Sequence, residues 1–318
     1  MPVLWLIAVV LGVAAGYAAV GFRLGIAMLQ TAFYGADNLT IHSVAANLPW
    51  YIVLTLPIMG GLIVGWILSV FTPDGKARGV ADVIQAAAVR SGRIEKRAGL
   101  ASAAAALITL STGGSTGREG PAIHLGAVMA SWVSERIRAS GVTARDILGC
   151  AAAAAVSASF NAPLAGALFA LEVVLRHYAL HAFGPIVLSA VAGAIVSRIH
   201  LGNITEFHLP ADSVEFYWEI PAFFLLGTVS GVIAVMMMRG IFVAERIANW
   251  VQDRLTIPHW LRPAIAGAVL GLIALKFPHI IGVGYETTSA ALTGRLLLHE
   301  AIIFVILKVI AVAITYAG

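Results

Sequence analysis

Long apolar runs dominate the chain, and few of them are broken by charge. The first covers residues 3–28 with Arg23 as its only charge, and the second covers about 51–71. Each matches the roughly 20 residues that a helix needs to cross hydrocarbon. No basic segment precedes the first run and no small-residue cleavage site follows it, so it reads as a membrane helix rather than a signal peptide. Further apolar stretches fall near 98–112, 122–133, 147–159, 163–175, 181–199, 220–238, 264–275 and 301–317. Several are too short for a full crossing, the pattern of helices that stop inside the membrane, where transporters place their substrates. Residues 240–255 alternate apolar and charged faces up to Pro258 and read as the 220–238 helix continuing past the bilayer.

Composition supports an all-α, polytopic membrane protein. Of 318 residues, 60% are hydrophobic and 11% charged, against about 25% charged in an ordinary soluble domain, and the mean hydropathy is +0.92. A soluble enzyme, a disordered chain and a disulfide scaffold are excluded; the single cysteine, Cys150, has no internal partner. The net charge of +4 gathers in one loop rather than suggesting nucleic acid. Residues 72–98 carry Lys76, Arg78, Arg90, Arg93, Lys96 and Arg97, whereas residues 32–49 carry no Lys or Arg. The positive-inside bias places 72–98 and the N-terminus in the cytoplasm. Runs of small residues at 101–106 and 151–155, with 32 glycines in all, read as close helix packing.

One segment departs from this pattern. Gly113-Gly-Ser-Thr-Gly-Arg-Glu-Gly-Pro121 lies between two apolar helices and carries Arg118 and Glu119, and a charge at bilayer depth costs at least ~2.5–3.5 kcal/mol. Glycines at 117 and 120 allow close backbone approach, Pro121 suits a first helical turn, and a helix over 122–133 would aim its free N–H groups and positive dipole end at residues 117–120. That describes an anion site, and Glu119 would act there as a tethered anion whose protonation removes the block. Two other readings stay open. Arg118 and Glu119 would also serve as a structural ion pair anchoring the helix. Residues 113–117 fit the G-x-S-x-G nucleophile elbow, with Ser115 as nucleophile of an intramembrane hydrolase and His124 following, although 101–110 reads as helix where that elbow needs a strand.

With Gly117-Arg-Glu-Gly-Pro121 and the following Ala122-Ile-His-Leu-Gly126, the chain resembles the CLC family of chloride channels and proton–chloride exchangers. A second segment, Phe160-Asn-Ala-Pro-Leu-Ala-Gly-Ala-Leu-Phe-Ala-Leu-Glu172, resembles another family signature at a fitting separation. The resemblance implies many tilted, discontinuous helices in two inverted repeats, with residues 1–205 as the first and 206–318 as an incomplete second. It implies a homodimer in lipid, in the bacterial inner membrane, moving chloride or a similar monovalent anion with no cofactor. Glu119 aligns with the gating glutamate, and Gly117, Arg118 and Gly120 with residues whose backbone faces the ion.

Three departures qualify it. In the ion-loop stretch 73–80, Arg78 replaces the usual serine or histidine and only Gly79 holds; Arg78 reads equally as an anion ligand or as one more cytoplasmic basic residue. Val173 stands where proton-coupled members resembling this one carry a glutamate, which favours a passive channel and leaves a proton-coupled exchanger as the alternative. The late G-x-F-x-P helix start and tyrosine of the family are expected after Gly318, and Tyr316 does not align with that tyrosine. Among lesser signals, His177 and His181 fall i, i+4 with no convincing third metal ligand. Trp5, Trp50, Trp66, Trp218, Trp250 and Trp260 suit interfacial anchors, and Lys308 lies in an apolar run without an obvious partner.

Overall fold

The computed structural model of the chain describes residues 2–36, 40–203, 217 and 219–318. The regular elements among them are all helical: α1 (Pro2–Tyr34), α2 (Ile41–Ala45), α3 (Trp50–Phe71), α4 (Val80–Val89), α5 (Lys96–Ser111), α6 (Glu119–Arg136), α7 (Gly141–Phe160), α8 (Pro163–Phe169), α9 (Leu180–Leu201), α10 (Glu219–Leu255), α11 (Arg262–Lys276), α12 (Tyr285–Leu292) and α13 (Leu298–Ala317). Five of them, Val3–Tyr34, Trp50–Phe71, Leu180–Leu201, Glu219–Leu255 and Leu298–Ala317, are long and apolar enough to cross a bilayer. The chain divides into two compact units, one of residues 1–28, 66–108 and 117–206, the other of 29–65, 109–116 and 207–318. The repeat boundary expected at 205/206 and Trp218 lie outside the described residues.

The first unit is built around α7. Ser140 starts that helix by accepting the Thr143 amide at 3.3 Å, and Asn161 ends it in the left-handed region at φ 54°. Its alanine run is fully buried among α6, α8 and α9. Lipid is as apolar as a leucine face, so association here rests on close contact rather than on escape from water. The contacts are close enough to exclude side chains: a Cβ on Gly193 of α9 would lie 2.5 Å from the Ala154 carbonyl oxygen, and one on Gly12 of α1 would lie 2.7 Å from that of Ser189.

α8 opens on Pro163, where a missing N–H costs nothing. It runs into a π-helical turn, Ala170–Leu175, closed by Arg176 at φ 60°. That break corrects the pairing expected from sequence. His177 follows the π turn whereas His181 belongs to α9, so the two do not share a helix.

In the second unit, Tyr34, Val53, Leu270, Ile280, Ile281 and Ala311 form a buried cluster. α10 packs against α13 yet none of its 37 residues is buried. At 1.5 Å per residue it spans about 55 Å, more than the ~30 Å hydrocarbon thickness, as the single helix expected across 220–255 requires. Lys308, for which the sequence showed no partner, donates to the carbonyls of Ile280 at 3.1 Å and Gly282 at 2.5 Å. It neutralises the carbonyl end of the short Pro278–Ile280 turn.

Candidate anion site

The site is made where two helices begin. α6 starts at Glu119, three residues before the expected Ala122, so Pro121 lies inside its first turn and the amides without intrahelical partners by position are those of Arg118, Glu119 and Gly120. α4, which falls within the stretch 72–98 read as loop, begins at Val80 after Gly79. Its ten residues are too short and too closely flanked by charge for periodicity to reveal. The two N-termini approach each other. A Cβ on Gly120 would stand 3.7 Å from Val80 Cγ2, and His124 Nδ1 on α6 lies 3.2 Å from the Gly79 carbonyl. Two positive dipole ends thus converge, each favouring an anion by about 0.3–1 kcal/mol.

Carboxylates of the chain itself sit at both ends. Glu119 folds back over Gly117, its Oε2 2.8 Å from where a Cβ of residue 117 would stand. Its Oε1 lies 3.7 Å from Arg118 Nε, a loose pair in which Arg118 is buried and the Glu119 side chain is one quarter exposed. Asp82 Oδ2 accepts the Gly79 amide at 2.8 Å, a capping acid that the sequence signals only as an Asp three residues past the cap residue Gly79.

Arg78 lies beside the capping acid, its Nη1 3.8 Å from Asp82 Oδ1, and is held more tightly by Asp74. Its guanidinium makes a two-pronged contact with Asp74, Nη1 to Oδ2 at 3.0 Å and Nη2 to Oδ1 at 3.1 Å, and its amide donates to Ser102 Oγ at 2.8 Å. Burial works against the ionised form of Asp74. The Lys76 amide and Arg78 outweigh it and hold that carboxyl below its ordinary range. The structure therefore brings Gly79, Gly117, Arg118, Glu119 and Gly120 into one region of the first unit, with the Arg78 charge engaged by Asp74. His124 and Asp82, not singled out from sequence as partners of Gly79, join them.

The loop that precedes Gly117 belongs to the second unit. Gly113 takes φ 105°, Tyr34 donates to the Thr112 carbonyl at 3.0 Å, and Ser115 and Thr116 meet Thr315 and Tyr316 at 3.1 Å each. Ser115 is fully buried, and the element before it is α5, a helix where a nucleophile elbow needs a strand.

The voltage gated chloride channel family matches residues 60–318, which include both helix starts. The chain belongs to that family. A putative ClcB-like chloride channel protein of Ralstonia nicotianae is 29% identical over 317 residues, covering 96% of this chain and 71% of its own. The voltage-gated ClC-type chloride channel ClcB of Shigella boydii is 30% identical over 300 residues, covering 92% and 69%. Among solved structures, a slow cyanobacterial Cl⁻/H⁺ antiporter superposes with a TM-score of 0.81 at 20% identity, over all of this chain and 75% of its own. A CLC-type fluoride/proton antiporter does so at 0.77 and 23%, over all of this chain and 76% of its own. At those identities the structural likeness establishes the fold, which is the all-α arrangement of CLC proteins. As a CLC member the chain is an integral membrane protein of an anion-transporting family.

Proposed function

We propose that this chain carries chloride or a similar monovalent anion across a bacterial inner membrane, with Glu119 as the gate. The observation that carries the reading is the Glu119 carboxylate folded over Gly117 at the start of α6, beside the convergent start of α4. An ionised carboxylate at a helix N-terminus competes with a mobile anion for the same amides, so its protonation or neutral replacement opens the path. Gly117, Arg118 and Gly120 offer backbone to the ion. Gly79 contributes once Asp82 swings off its amide, and Arg78 acts through its place in the loop rather than through its charge. The ClcB relatives, called chloride channels, support chloride as the anion. The two antiporter structures are compatible with protons as a second ion.

The exposed α10 and the outward Trp5, Trp50, Trp66, Trp250 and Trp260 suit lipid contact. The basic stretch 72–98 supports a cytoplasmic N-terminus, and a homodimer follows the family resemblance. Chloride efflux from liposomes, compared between the wild type and Glu119→Gln and Glu119→Ala, tests the gate. Flux raised in both supports it, and flux equal to wild type in both removes it.

A further inference from the structure

Asp146, in the second turn of α7, is a carboxylate only 3% exposed. Its Oδ2 lies 3.3 Å from His181 Nε2 in the first turn of α9, and His177, just past the π turn, lies within electrostatic range. With the Cys150 thiol one turn further along α7, these imidazoles are the titratable groups on the packed elements that act on it. An ionised carboxylate at this depth needs a counter-charge, and imidazole supplies one only while it holds a proton. Imidazole is also the side chain that gains and loses a proton near neutral pH. The pair is therefore stable with one proton between the two groups and costly with none. The His181 side chain is nearly half exposed, at 46%, at the very start of α9, so the proton is not sealed in the packed interior.

The position of the pair within the first unit adds direction. The Ala144 carbonyl oxygen would lie 2.8 Å from a Cβ on Gly92, and Arg145 Nη2 reaches the Ala88 carbonyl at 3.5 Å. The opening turn of α7 thus abuts the end of α4 and the basic stretch of Arg90, Arg93, Lys96 and Arg97. α6 and α7 are joined by a short turn and pack together, which puts Asp146 toward the end of α6 opposite Glu119. The π turn that carries Val173 also packs against α7.

We propose that Asp146 and His181 form a proton-binding site that loads from the cytoplasmic side. A proton taken up is held between the Asp146 carboxyl and the His181 ring, 3.3 Å apart, and its release leaves both groups without it. The proposal rests on the anion-transport reading above and on the orientation set by the basic stretch.

Two measurements on the 318-residue chain test it. In liposomes, a chloride gradient should drive protons in the wild type. Asp146→Asn and His181→Gln should cut that proton flux on the order of 10²-fold while chloride flux persists and reports a folded protein. A wild type that moves no protons, or an Asp146→Asn variant that moves them at the wild-type rate, overturns the proposal. In nanodiscs, the infrared difference spectrum between about pH 8 and about pH 5 should contain a carboxyl band that vanishes in Asp146→Asn; a spectrum unchanged by that substitution also overturns it. A wild type without chloride flux sinks the transport reading instead, and the infrared spectrum then still decides the proton site.

Discussion

At the scale of single residues, the account turns on side chains whose partners lie close by but point in unexpected directions. Gly117 leaves room for the Glu119 carboxylate, so Gly117→Ala should push that carboxylate outward and give chloride flux between those of wild type and Glu119→Ala. Flux equal to wild type would show that Glu119 rests elsewhere. Arg78 is forked onto Asp74, so Arg78→Ala should leave anion selectivity unchanged in the same assay; a changed chloride-to-nitrate ratio would restore it as an anion ligand. Lys308 caps two carbonyls. Lys308→Met keeps its bulk but strands them, which should cost roughly 1–3 kcal/mol, read as a lower thermal midpoint in detergent.

The segment proposed as the gate was legible at this scale because Gly-Arg-Glu-Gly-Pro is local in sequence. The partner of Lys308 was not, since backbone carbonyls carry no residue signature. Nor was the Asp146–His181 pair, whose members come together only when α7 and α9 pack.

At the scale of elements, apolar length read correctly and short helices did not. α1, α3, α9 and α10 match long apolar runs. α2, α4 and α12 are five, ten and eight residues long, each too brief for a hydrophobic period to stand out from its polar flanks. α6 was placed but started late, because Glu119 and Gly120 look like loop residues until their backbone is seen to be helical.

α2 and α12 are joined in the second unit. The His42 amide and ring both reach Glu286 at 2.9 Å, and the His42 ring stacks on His279, centroids 4.4 Å apart. Burial pushes both imidazoles below their ordinary range. Glu286 partly offsets this at His42; at His279, His42 reinforces it while Glu286 and Glu300 oppose it. The folded chain therefore binds fewer protons here than the unfolded one. The stability involved is complete above about pH 6.5 and is lost as pH falls through the lower folded values. The thermal midpoint should drop on acidification, and less so in a His42→Gln, His279→Gln variant; an equal drop in both would place the acid sensitivity elsewhere. On the close-packed α7–α9 face, Gly193→Val should clash with the Ala154 carbonyl and lower the yield of folded protein, whereas a normal yield would mean that the helices can part.

At the scale of the whole molecule, composition and two motifs were enough to identify a CLC-like membrane protein. The division into units was beyond them. It interleaves three stretches of chain for each unit and passes through the motif itself, between Thr116 and Gly117. Long-range packing decides such a division, and a single sequence displays little of it. The central claim is narrower than the family name: a carboxylate held at a helix start blocks an anion path. Chloride efflux from liposomes, followed against pH for wild type, Glu119→Gln and Glu119→Ala, addresses that claim most directly. The account predicts that acid speeds efflux through the wild type, and that both variants show faster efflux without that acid activation; efflux and pH dependence matching wild type in both variants would contradict it.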